Sequence, residues 1–446
     1  MSRVPGSLAR RDLLRAAVLV PATGAAVVTC AAVGARPWRS SPPALLSEGV
    51  VVEADGVVRA LPPGRTADYV PGTRAAAAPQ GAVAAAAQQR RDGARLPDGR
   101  WADLAEAALT DLLALTGPTL GAGEGKAPTD FPVGAVVAGP VGGWRYTWPR
   151  DASFAAAAFS AVGLHGEALG VLAHLAGLQR PGGGFEARYT ASGGVPDDRP
   201  AQSDGAGWLL WAARRALAEG AGAGELEEAC GEALARAAGN LLALTDTPSH
   251  LPAASPDYWE APERSLTLGT AAPVLLGLEA AAGLEQAGMD LGVSAGPAGA
   301  RAAAVRAAME RAFAPDWGRH MRDDDVDAAI ALVGPPFTRA LAGTRAVRAS
   351  AVIRMRRSGG GVGPGTSWRD DGVSWTPETA LLAWSAAALG RRQEAEQLLG
   401  WLDEHRTAVG ALAEKVGDDG APAGPAPLAW TCALVILAAV DAGLSA

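Results

Sequence analysis

TPETALLAWSAAAL, residues 376–389, is the stretch on which the fold reading turns. After Glu378 it carries no charge, and its apolar and small side chains point in every direction around a helix. A surface helix has one apolar stripe and one polar face, so a helix without a polar face belongs inside a domain, surrounded by other helices. PAPLAWTCALVILAAVDA, residues 425–442, has the same character. Outward from these two, helical patterns cover 101–116, 151–163, 165–179, 203–218, 224–245, 266–286, 297–314, 324–333, 337–357 and 391–405, separated by Gly/Pro-rich breaks. Nothing downstream of Trp101 alternates with period two for long. The expectation is an all-α domain over 101–446. About twelve helices close an (α/α)6 double-ring barrel, six inside six, whose loops at one end form a pocket.

Composition narrows the function classes. The chain has 446 residues, 49% of them apolar, which is ample for a packed core. A net charge of −8 without a Lys/Arg block excludes nucleic acid and an anionic membrane surface as the main partner. The 13 Trp outnumber the 4 Tyr and 6 Phe together. An indole is a flat apolar face with one N–H donor, suited to a core and to stacking on a sugar ring.

Ahead of the helical domain, Arg10-Arg11-Asp12-Leu13-Leu14-Arg15 precedes an uncharged run from Ala16 to Ala35. That layout reads residues 1–35 as a twin-arginine export signal or, uncleaved, a membrane anchor, and places the protein outside the cytoplasm. No later segment reads as a membrane span. Residues 36–100 read as a Pro/Ala/Gly-rich linker with one short β-hairpin at Val50 to Val58. Without the leader only Cys230 and Cys432 remain, and the His residues are scattered, so neither a disulfide framework nor a zinc site is expected. Asp323-Asp324-Asp325 reads as a solvated acidic run rather than a metal site.

Polar and aromatic residues concentrate in the loops. Trp144-Arg145-Tyr146-Thr147-Trp148-Pro149-Arg150-Asp151 leads into a helix, where Arg150 and Asp151 offer a donor fork and an acceptor for vicinal hydroxyls. In the other reading, Asp151 is an N-cap with Arg150 as its surface partner. Asp257-Tyr258-Trp259-Glu260 sets a carboxyl beside an indole, the desolvated setting that suits a general acid. Glu414, in Gly410 to Val416, offers a base ahead of Trp430; otherwise it is an exposed Glu paired with Lys415. Glycoside hydrolysis needs two carboxyls facing across the scissile bond, and only the converging loops of a closed barrel bring Glu260 and Glu414 together.

These clusters, in this order on a helical background, resemble glycoside hydrolase family 15, the glucoamylase, glucodextranase and trehalase group. Trp148-Pro149-Arg150-Asp151 is similar to the family's Trp-x-Arg-Asp motif, Asp257-Tyr258-Trp259-Glu260 to its Asp-x-Trp-Glu motif, and the Glu414 segment to its Leu-Pro-Glu-Gln motif. Gln202-Ser203-Asp204, Leu266 to Leu278 and Trp375-Thr376-Pro377-Glu378-Thr379 also fit, so the resemblance spans roughly 101–445. It implies an inverting exo-hydrolase acting on the non-reducing ends of α-glucosides, with Glu260 as general acid, Glu414 as general base and no cofactor or metal. Trp148, Arg150, Asp151, Asp257, Trp259 and Trp430 would bind substrate.

The departures are specific. The family's second acidic residue after the acid is Ala261 here, and Gly359 to Gly365 lacks the sugar-binding Arg, for which Arg354, Arg357 or Arg369 would have to substitute. Two rivals follow: a catalytically impaired carbohydrate-binding barrel, and a trehalase-type variant. The partner expected throughout is an oligosaccharide or α-glucoside, with membrane contact only through an N-terminal anchor.

Overall fold

The helical periodicity is realised as α2 Ala102–Ala114, α3 Pro149–Ala161, α4 His165–Leu178, α5 Gly205–Ala218, α6 Ala223–Leu244, α7 Leu268–Gln286, α8 Ala298–Phe313, α9 Thr344–Arg354, α10 Thr376–Ala388, α11 Arg392–Glu404 and α12 Ala429–Gly443, and a further helix, α1 Ala82–Arg91, forms in the stretch expected to be linker. The structure, a computed structural model, describes residues 43–78, 81–122, 127–292 and 297–443; the leader at 1–35 lies outside them. Inner helices α3, α5 and α7 pack in sequence, a buried 3₁₀ segment Ala328–Val333 follows, and α10 and α12 close the ring back onto α3. Outside them, α4 packs on α3, α6 on α5, α8 on α7, α9 on the 3₁₀ segment, α11 on α10 and α2 on α12. This is the expected (α/α)6 double ring.

Two boundaries differ from expectation for a backbone reason. The stretch 324–333 yields only the 3₁₀ segment from Ala328, because Asp327 is extended, bridges Gly365 and caps the segment by accepting the Ala329 N–H. The stretch 337–357 starts late, at Thr344, behind Gly343 at φ 84°.

Aromatic side chains plug the barrel. Phe154 of α3 lies 5.0 Å from Trp208 and 4.9 Å from Trp211 of α5, and 5.9 Å from Trp430 of α12. Phe337 stacks on Trp211 at 5.6 Å and meets Trp384 of α10 edge-on at 4.8 Å. Such tilted pairs add about 0.5–1.5 kcal/mol each beyond their burial, so the ring interior is a core and not a pore. Where α5 and α7 touch, a Cβ on Gly207 would sit 2.1 Å from the Pro273 carbonyl, so that approach requires glycine. Helix α7 is, among the described residues, the one helix long and apolar enough to cross a membrane, an exception to the expectation of no later span by composition. Its apolar window is 78% buried within the inner ring, which accounts for that composition.

Residues 43–91 do more than link. Strand β1 Gly49–Val52 pairs antiparallel with β2 Val57–Leu61, and β3 Thr119–Leu120 and β4 Thr129–Asp130 extend the sheet. Ser47 Oγ donates to the Ala426 carbonyl at 2.8 Å and accepts from the Ala426 N–H at 3.0 Å. Arg90 of α1 donates to Glu167 of α4 at 2.8 Å. Arg74 is buried against Asp111 of α2, with Nε–Oδ1 at 2.5 Å and Nη2–Oδ2 at 2.9 Å. A second short sheet, β5 Ser374–Trp375, β6 Lys415–Val416 and β7 Pro422–Ala423, lies at the mouth of the barrel.

Asp111 is 0% exposed, so removing its partner strands a buried charge. Arg74→Ala is expected to cost about 3–5 kcal/mol in chemical denaturation. A loss below about 1 kcal/mol, the scale of a surface ion pair, would show that the N-terminal segment is not integral to the barrel.

Candidate active site

The inner helices α3, α10 and α12 present their N-terminal ends to one cavity of about 310 Å³, near the lower end of the ~300–1,000 Å³ usual for ligand sites. Trp148 and Trp375 occupy the N-cap positions of α3 and α10, and each is followed by a proline within the first helical turn and a carboxyl at the third helical position, Asp151 and Glu378. Proline fits there because the first-turn N–H groups have no intrahelical acceptor. Both indoles and both carboxyls line the cavity, together with Trp144, Trp259, Trp368 and Trp430.

Glu260 enters from the turn before α7. The Asp257 carboxylate accepts the Trp259 N–H at 2.9 Å, and the Asp257 carbonyl accepts the Glu260 N–H at 2.8 Å. This closes a turn in which Glu260 takes φ 54°, a left-handed conformation costing a non-glycine residue about 1–3 kcal/mol. The strain is held because Asp257 is itself pinned by Arg319 Nη2 at 3.0 Å, and the Arg319 guanidinium lies 3.6 Å over the Trp259 ring. Trp148 Nε1 donates to Glu260 Oε1 at 2.5 Å, while Arg199 Nη1 donates to Oε2.

Glu414 enters immediately before β6. Pairing of β5 with β6 sets Trp375 opposite Lys415 and so brings Glu414 beside the start of α10. Its backbone is held by Glu414 N to Pro425 O at 3.0 Å and by Thr376 N to Glu414 O at 3.0 Å. Trp144 Nε1 donates to Oε1 at 3.1 Å, and Lys415 Nζ lies 3.0 Å from Oε2. One segment, 144–148, thus supplies the indole that orients each carboxyl. An indole donates but does not accept a proton, so it fixes a carboxyl without competing for the proton the carboxyl would transfer.

Arg150, 6% exposed, sits at the centre. Its guanidinium lies 3.7 Å from Asp151, 3.5 Å from Asp204 and 4.0 Å from Glu260, donates to Gln202 Oε1 at 3.4 Å, and stands 5.0 Å over the Trp430 ring. Burial pushes the Asp151 carboxyl up to about 6; Arg150 opposes this, and Glu260 adds to it. Burial likewise pushes Glu378 up to about 8 from an ordinary 4.5; its own backbone N–H opposes, and Glu414 and Asp327 add to it.

Seven of the residues selected from sequence, Trp148, Arg150, Asp151, Trp259, Glu260, Glu414 and Trp430, meet on this cavity. Asp257 does not: it is 0% exposed beneath the wall and builds the turn that aims Glu260. The N-cap reading of Asp151 gives way to a buried place inside the first turn. Of the proposed substitutes for the missing Arg, Arg354 donates to the Asp324 carbonyl, Arg357 to the Gly365 carbonyl, and Arg369 lies against Trp368; none lines the cavity. Arg188 and Arg199 do, from the loop after α4, with Asp197 between them. Sequence reasoning missed both for want of a local pattern. Glu378 does have a sequence signal, the spacing Trp-x-x-carboxyl shared by Trp148 to Asp151 and Trp375 to Glu378.

No protein-family model matches the sequence, and no curated protein matches it either. Solved structures match in shape. A glycosidase superposes with TM-score 0.60 at 23% identity, over 77% of this chain and 98% of its own. The glucoamylase of Saccharomycopsis fibuligera superposes with TM-score 0.61 at 13% identity, over 79% of this chain and 98% of its own. A bacterial glucoamylase complexed with acarbose gives TM-score 0.58 at 16% identity, over 77% of this chain and 55% of its own. The chain shares its fold with these glycosidases and glucoamylases.

The folded state keeps on Glu378 a proton that the unfolded chain releases between about pH 4.5 and 8, so this group's contribution to stability is lost as pH rises through that window. Glu378→Gln is therefore expected to match the wild type in Tm near pH 4 and to exceed it above pH 8, the gap growing by at most about 1.4 kcal/mol per pH unit. Parallel Tm curves for the two proteins across that range would refute the buried, proton-bearing carboxyl.

Proposed function

We propose that the protein is an exported glycoside hydrolase that releases glucose from the non-reducing ends of α-glucosides with inversion. The observation that carries this is the pair Glu260 and Glu414, brought from distant loops to one cavity and each oriented by an indole N–H of the same segment. The surroundings suit a sugar: indole faces for its C–H surfaces, and Arg150 with Asp151 for its hydroxyl edges. The shared fold adds weight, since the relatives include a glycosidase in complex with glucose and a glucoamylase complexed with acarbose.

In this reading Glu260 donates a proton to the glycosidic oxygen as the C–O bond breaks. Glu414 takes a proton from the water that attacks the anomeric carbon from the opposite face, so the two carboxyls exchange protonation states and return by solvent. Arg199, 40% exposed at the cavity mouth, leaves Glu260 Oε2 when the leaving sugar enters. Asp257 and Arg319 hold the acid's turn, and Trp144 holds the base. Residues 1–35 would carry the protein out of the cytoplasm through the twin-arginine route.

A second reading has an observation of its own. Both carboxyls are ion-paired, Glu260 with Arg199 and Glu414 with Lys415, as they would be in a barrel that binds sugar without turning it over. Glucose release from maltooligosaccharides, isomaltooligosaccharides and trehalose separates the two. Glu260→Gln and Glu414→Gln are each expected to lower kcat by about 10²–10⁴-fold while glucose affinity stays within a few-fold. Binding without release by the wild type would establish the binding protein, and full turnover in Glu260→Gln would remove that residue from its role.

A further inference from the structure

Glu378 has no part in the proton transfers above, yet it lies on the cavity wall at the third position of α10, beside Glu414 and only 3% exposed. Its Oε2 is buried and has no hydrogen-bond partner in the protein. The charged and titratable groups facing it offer an ionised Glu378 no free donor. Glu414 and Asp327 are carboxylates. The one proton of the Tyr258 hydroxyl is committed to Asp327. Arg150 is engaged by Asp151, Asp204 and Gln202. A helix N-terminus favours an anion by about 0.3–1 kcal/mol when exposed and up to about 2 when partly buried, but desolvation among other carboxylates works the other way and is the larger effect here. The group is therefore an acid, and the cavity it lines is a place where a ligand oxygen can accept its O–H.

We propose that Glu378 is a substrate-binding residue that acts as a fixed O–H donor, gripping a hydroxyl oxygen of the sugar seated between Trp375 and Glu414. This rests on the carbohydrate reading and deepens it. A carboxylate at this position would accept a hydrogen bond instead, so ionisation of Glu378 removes the donated bond and forces the sugar hydroxyl to reverse its own role among neighbouring carboxylates, which weakens binding. Neutral hydroxylated rings satisfy such a donor while the neighbouring carboxylates repel anionic ligands, so the ligand class is an uncharged hexopyranoside.

The test is glucose and maltose binding to the full chain by calorimetry from pH 5 to pH 10, with near-ultraviolet circular dichroism to verify folding. Wild-type affinity is expected to hold below pH 7 and to fall about tenfold through pH 8 to 9, the value of one lost hydrogen bond. Glu378→Gln keeps a donor that does not titrate; it should bind as the wild type does at pH 6 and retain its affinity to pH 9. Glu378→Leu should bind about tenfold more weakly at every pH below 7. The same alkaline fall in Glu378→Gln as in the wild type, or undiminished binding by a folded Glu378→Leu, overturns the proposal while leaving the carbohydrate reading in place. Should Glu378→Leu fail to fold, the pH profile of Glu378→Gln decides alone. Absence of binding by the wild type to either sugar at any pH overturns both.

Discussion

Arg150 is the charge around which the site is organised. A guanidinium stays protonated at any accessible pH, so burying one commits its surroundings to supplying carboxylates and acceptors. Here the commitment crosses four elements: Asp151 on its own helix α3, Gln202 and Asp204 ahead of α5, Glu260 on the turn before α7, and the Trp430 face on α12. Loss of the guanidinium would leave Asp151 and Asp204 buried without a counter-charge, a situation that costs about 3–5 kcal/mol when a buried pair is broken. The requirement that keeps the inner helices in register at this end is therefore the same one that holds the candidate acid within reach of the cavity.

The barrel turns this local demand into a site. Because the inner ring is closed and its interior filled by Phe154, Trp208, Trp211, Phe337 and Trp384, the helix N-termini cannot slide along one another without breaking aromatic contacts. Their first turns are thus fixed platforms. The short sheet that pairs Trp375 with Lys415 delivers Glu414, and the strained turn at Glu260 delivers its counterpart. Two indoles four residues apart on one segment then hold the two carboxyls.

Much of this was legible in the sequence, for reasons that also explain what was not. Helices such as 376–389 declare themselves because their apolar surface has no polar side, and Trp148-Pro149-Arg150-Asp151 combines an N-terminal proline with a charge pair. What stayed hidden depends on tertiary placement. Asp257 looked like a sugar ligand because it precedes Trp259 and Glu260, but only the buried Arg319, distant in sequence, reveals that it serves the turn. Arg199 carries no local signal, since its role comes from where the loop after α4 ends. Residues 43–91 read as linker because small residues dominate them; helix α1 buries only Ala84, while Val50 and Val58 join the main core and polar contacts from Ser47, Arg74 and Arg90 tie the segment to the barrel.

If Glu260 and Glu414 work on opposite faces of one sugar, as proposed, stereochemistry reports on it directly. Proton NMR of the first glucose anomer released from maltooligosaccharides and isomaltooligosaccharides is the measurement. Early β-glucose from an α-linked substrate is expected, because water activated by Glu414 must enter opposite the leaving group protonated by Glu260. Early α-glucose, or no release by the folded protein, would contradict it.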